Sequence, residues 1–198
     1  PYYHPIMPLL MMEGWTMEDG IRVNKEAWPE DVQNHLITGM DLFEDELGFR
    51  PTGMWPSEEA VSPAMVQPVT DVGIEWMVTD EEILKQSTNQ NGDYIDVEDV
   101  TNLATPWKVT GADGGEVAVI FRDRVISDRI AFQYGTMTPE AAVSDFIAYL
   151  DNIRQQLLDA GEDPSEHLLT VALDGENWMF MSEFQHLSLI HISEPTRR

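Results

Sequence analysis

The chain has 198 residues, 42% of them hydrophobic, enough for one domain with a real core but short of the roughly 250 residues of a complete (β/α) barrel. Its formal net charge of −25, from 36 acidic and 11 basic residues, repels nucleic acid and anionic membranes and excludes both as partners. The absence of cysteine removes disulfides and thiolate metal sites, and no apolar run reaches the roughly 18 residues of a membrane span.

Residues 4–12 are apolar with two prolines and read as a loop or strand end. Residues 28–47 read as a helix: Pro29 near the start, Glu30 and Asp31 in the first turn, Val32, Leu36, Met40 and Phe43 on one face, and Gly48 as the stop. His35 lies on that helix and is expected on its surface. Residues 53–55 are a short strand candidate, and Ser62-Pro63 opens a helical stretch to about residue 72. Residues 74–79 are rich in β-formers.

Residues 86–93 are polar and rich in Asn and Gly, hence a surface loop. Residues 117–121 form a continuous apolar run, as in a strand buried on both faces. Thr138-Pro139 starts a second long helix, with Val143, Phe146, Ile147, Leu150, Ile153 and Leu157 at helical spacing and Gly161 at its end. Residues 168–173 are the last strand. Strands alternating with helices, the strands mostly apolar, predict a parallel sheet with helices around it.

Four apolar runs turn polar at once. Met54-Trp55 leads to Glu58 and Glu59, 76–79 to Asp80, Glu81 and Glu82, 117–121 to Arg122 and Asp123, and 168–173 to Asp174 and Glu176. In a parallel barrel all strand C-termini open on one face, where active sites are built. Carboxylates from several strands, with one Arg and interleaved aromatics, would converge there. Two facing carboxylates are what cleavage of a glycosidic bond needs: one attacks or stabilises, the other shuttles the proton. Trp55 and Trp178 are candidates either to stack on sugar rings or to pack in the core.

Five stretches occur in order: Tyr2-Tyr3-His4-Pro5, Met54-Trp55-Pro56-Ser57-Glu58, Val78-Thr79-Asp80-Glu81-Glu82, Phe121-Arg122-Asp123-Arg124 and Leu173-Asp174-Gly175-Glu176-Asn177. Together they resemble glycoside hydrolase family 57, in its amylopullulanase-like or α-amylase-like branch. The resemblance implies an α/β fold, an incomplete (β/α)7 barrel, and retaining cleavage of α-glucans, at α-1,4 bonds with α-1,6 bonds as a second target. It implies Glu58 as nucleophile and Asp174 as general acid/base, with His4, Trp55, Asp80, Arg122, Asp123 and Glu176 lining the sugar site. A raised pKa at the acid/base is the chemical requirement, and a separation of roughly 5–5.5 Å between the two carboxyls the geometric one.

The chain departs from the family pattern in lacking its first His-Gln-Pro motif, the acidic motif before Tyr2-Tyr3-His4-Pro5, and its last helical motif. Trp-Met-Phe-Met follows Asn177 where relatives place a small residue and then Trp-Glu. Residues 1–186 are accordingly read as a partial catalytic barrel, an internal fragment expected to be inactive alone, and 187–198 as a non-native tail resembling translated sequencing adapter. The acidic excess reads as a solubilising surface and, in a sharper reading, as adaptation to high salt.

No cofactor is called for. None of the five histidines lies at i, i+4 from another, which argues against a zinc site and against a metal-dependent deacetylase. The acidic stretch 93–99 lacks the calcium-loop pattern and reads as a solvated loop. The expected partner is an α-glucan such as starch, glycogen or a maltooligosaccharide. Rival readings are a 4-α-glucanotransferase or α-glucan branching enzyme, with the same carboxylate pair, and a non-catalytic carbohydrate-binding protein, which leaves Glu58 and Asp174 unexplained.

Overall fold

The computed structural model describes residues 1–175. The chain packs as two compact units, 1–79 with 106–121 and 80–105 with 122 onward.

In the first unit, α1 (Met7–Met11) is followed by the hairpin β1 (Gly14–Thr16) and β2 (Arg22–Asn24), paired antiparallel with Trp15 opposite Val23. The 4–12 segment is therefore partly helical, not a loop: Pro8 presets the first turn, and Met and Leu are good helix formers. The first long helix, α2 (Pro29–Leu47), has the expected acidic first turn and ends at Gly48, whose φ of 81° is the left-handed cap. Val32, Leu36 and Met40 are its buried stripe.

After β3 (Gly53–Met54) come α3 (Val66–Asp71), β4 (Trp76–Asp80), β5 (Trp107–Thr110) and β6 (Glu116–Arg122). The sheet order is β3-β4-β6-β5, with β3 parallel to β4 and β5 antiparallel to β6. This is a mixed α/β fold with one parallel pairing of the expected kind and a hairpin that the sequence reading did not contain. The strand doubly buried is β4, whose Met77, Val78, Thr79 and Asp80 are all interior. In β6, Val117, Val119 and Phe121 are buried while Ala118 and Ile120 are half-buried, so its apolar run alternates. Met7, Leu36, Met65, Val66, Val69 and Met77 form much of the tightly packed interior.

The second unit contains α4 (Glu81–Lys85), α5 (Val100–Leu103), α6 (Arg124–Asp128) and α7 (Pro139–Asp159). Thr138 caps α7 by accepting from the Ala141 N–H at 3.3 Å. Val100, Ile153 and Leu157 pack together with Tyr149 and Leu169. Val143 and Ile147, placed by sequence on the buried stripe of α7, are exposed. The predicted strand 168–173 is reduced to a single parallel bridge between Thr170 and Arg122. Among the described residues no helix is long and apolar enough to cross a membrane.

Candidate active site

In the first unit β3 delivers the chain to Trp55 and Pro56, and a tight turn over Ser57–Glu59 follows. Glu58 sits at φ 54°, ψ 25°, and Glu59 at φ 55°. Two successive non-glycine residues in the left-handed region cost on the order of 1–2 kcal/mol each. Their surroundings hold them there. Pro56 accepts from the Glu59 N–H at 2.9 Å, Ser57 from the Ala60 N–H at 3.1 Å, and buried Thr79 donates its hydroxyl to the Glu59 carbonyl at 2.7 Å. Such strain persists only where the surrounding framework over-determines the backbone. Here it throws the Glu58 side chain outward, 75% exposed.

The exposed imidazole of His4 meets that carboxylate, with Nε2 3.1 Å from Glu58 Oε1. The reach depends on how the N-terminal segment docks on α2. Tyr2 donates its N–H to the His35 carbonyl at 2.8 Å, and His35 Nδ1 donates to the Tyr2 carbonyl at 2.8 Å. One turn along the same face, Gly39 lets the backbone close in, since a Cβ there would lie 2.8 Å from the Tyr2 nitrogen. His35 is thus half-buried and anchors the segment carrying His4, where the sequence reading left it on the surface. A glycine inside an otherwise good helix costs about 1 kcal/mol relative to Ala; that cost, four residues after His35, was the available signal. Trp55 is half-buried and lines an apolar cavity of about 250 Å³ with Leu36, Met40, Phe43 and Ile74.

The second unit holds Asp80, Arg122, Asp123 and Asp174. The Asp80 side chain is 6% exposed and ringed by donors. Arg122 Nε reaches its Oδ2 at 2.8 Å, Arg124 Nη2 its Oδ1 at 3.1 Å, and the Glu82 N–H its Oδ1 at 2.9 Å, capping α4. Asp123, only 1% exposed, caps α6 through the Ile126 N–H at 3.1 Å and accepts the Tyr149 hydroxyl at 2.6 Å. Both were expected to line the sugar site. Both carboxylates are interior and engaged by donors of their own unit, paired and hydrogen-bonded as buried charge must be. Tyr149 and the more exposed Arg124 complete that pairing; a bare Arg or Tyr in the sequence gives no signal of its partner.

Arg122 is half-buried, and its Nη1 also donates to the Ala172 carbonyl at 3.2 Å and lies 3.3 Å from Asp128 Oδ1. Asp174 follows two residues later and is exposed. Glu81 accepts the Arg124 N–H at 3.0 Å. Burial raises its pKa above the usual carboxylate value, and the negative charges of Asp123 and Asp80 add to this. Tyr149 is raised too, by burial and then by its bond to Asp123. Glu176 and Trp178 lie outside the described residues. Among the described residues, no group of three His, Asp or Glu could hold a metal.

The family description for glycosyl hydrolase family 57 matches residues 1–191, and the chain belongs to that family. Among solved structures it is similar to a 4-alpha-glucanotransferase from Thermococcus litoralis, at a TM-score of 0.55 and 21% identity, over 78% of this chain and 21% of that one. Likeness at that identity speaks for the fold, and the chain spans about a fifth of that protein's length. No curated protein sequence matches the chain.

Proposed function

We propose that the chain carries the two catalytic carboxylates of a retaining α-glucan hydrolase built on a (β/α)7 barrel. Glu58 attacks the anomeric carbon and forms a covalent glycosyl ester while Asp174 protonates the departing oxygen. Asp174 then takes a proton from water, which attacks the ester and releases the sugar with its configuration retained. Starch-like α-1,4 glucans are the substrate class, with α-1,6 branches as a second target.

The observation that carries this reading is the Glu58 turn. A carboxylate on a strained backbone, turned to solvent beside an imidazole 3.1 Å away, has no structural task that would justify the strain. His4 is then the donor that orients the nucleophile. Asp80 and Asp123 fix Arg122 and α6 within their own unit, and Trp55, Glu176 and Trp178 supply the sugar contacts. A transferase would use the same pair with a sugar hydroxyl in place of water.

Glu58→Gln and Asp174→Asn in the full-length gene product test the assignment. Each is expected to lower turnover of amylose by at least about 100-fold. Normal turnover in both would leave carbohydrate binding as the function. Reducing ends accumulating in step with bond cleavage would identify water as the acceptor; their absence would identify a transferase.

A further inference from the structure

The segment leading to Asp174 is not held as a strand. Thr170 makes the last ladder bond, accepting the Asp123 N–H at 2.9 Å. Beyond Asp123 the neighbouring chain coils into α6 and can offer no further backbone partners. The next residue of the same pleat, Ala172, still has an N–H and a carbonyl to satisfy. Two side chains take them. The hydroxyl oxygen of Ser127, a completely buried residue of α6, accepts the Ala172 N–H at 3.2 Å, and Arg122 Nη1 donates to the Ala172 carbonyl at 3.2 Å. Arg122 is itself braced by Asp80 through Nε at 2.8 Å.

We propose that Ser127 and Arg122 form a clamp on the Ala172 backbone that positions Asp174. They are positioning residues and act through the chain. Asp174 is only two residues on from Ala172, so fixing both polar groups of Ala172 limits how far the backbone that carries the Asp174 side chain can shift. A displacement of about 1 Å at a reacting group can cost about 100-fold in rate, and two hydrogen bonds are what prevent it here. The proposal rests on the reading of Asp174 as the acid/base.

The test combines amide exchange with leaving-group dependence. In the 198-residue chain, Ser127→Ala should speed exchange at the Ala172 amide about tenfold or more while the β6 amides stay protected. In the full-length gene product, Ser127→Ala and Arg122→Lys should lower kcat/KM on amylose by about 10- to 100-fold. Their kcat/KM on a 4-nitrophenyl α-maltoside, which reports only the step up to glycosyl-ester formation and whose leaving group hardly needs a proton, should fall less than about threefold. Arg122→Lys keeps the charge beside Asp80 and serves should the alanine variant not fold. Unchanged exchange, or equal losses on both substrates, overturns the clamp and leaves the acid/base reading intact. Asp174→Asn discriminates below it: if that variant shows no leaving-group dependence, the acid/base reading itself falls and takes the clamp with it.

Discussion

Asp80 offers the sharpest stability test, because the structure makes it a hub. Asp80→Ala removes a carboxylate that is 6% exposed and leaves Arg122, 13% exposed, beside an empty site. Breaking a buried pair by deleting one partner costs about 3–5 kcal/mol. Arg124 adds little, since it is 46% exposed and water screens an ion pair of that kind to about 1 kcal/mol or less. Loss of the α4 cap at the Glu82 N–H contributes about 1 kcal/mol. The sum is about 5 kcal/mol, read as a lowered urea midpoint by far-ultraviolet circular dichroism. Asp80→Asn keeps the cap and one acceptor and should lose only about half as much. Arg122→Met in the Asp80→Ala background should recover much of the loss, because no unpaired cation is then buried. A loss below about 1 kcal/mol for Asp80→Ala, or a double mutant as weak as the two single losses added, would refute the hub.

Glu58→Gly should stabilise the fold by about 1 kcal/mol, because glycine adopts φ 54° without the Cβ clash; a lower melting temperature would mean that the turn carries no strain. Glu81 has a pKa raised above its ordinary 4.5, so in the window just above that value the folded state binds more protons than the unfolded one and stability falls as pH rises. Glu81→Gln should flatten that decline in urea midpoints taken from pH 4 to 7, and a decline equal to the parent's would exclude burial of the carboxyl. The net charge of −25 predicts a melting temperature that climbs from low to molar KCl as repulsion is screened; a flat response would reject salt adaptation.

The long elements were legible because their signals are local. The Pro29 start and Gly48 stop of α2, the Thr138-Pro139 start of α7 and the β-formers of β4 all lie within a few residues of the structure they specify. The hairpin of β1 and β2 and the strand β5 escaped because three- and four-residue strands carry too little periodicity to register. The strand 168–173 was read from a true apolar run, but a strand needs a neighbour, and α6 withdraws it after Asp123. Chemistry-bearing residues were visible as types at strand ends. Their division of labour was not: that Asp80 and Asp123 face inward to Arg122, Arg124 and Tyr149 depends on partners 26 to 44 residues away.

The exposed carboxylate of residue 58 can be questioned by trapping. The full-length gene product would be incubated with a 5-fluoro-α-glycosyl fluoride, which forms the glycosyl ester quickly and releases it slowly, then digested and mapped by mass spectrometry. The account predicts one added sugar on the peptide containing Glu58, lost in Glu58→Gln. A sugar on any other carboxylate, or turnover of the reagent by Glu58→Gln at the parent rate, would contradict it.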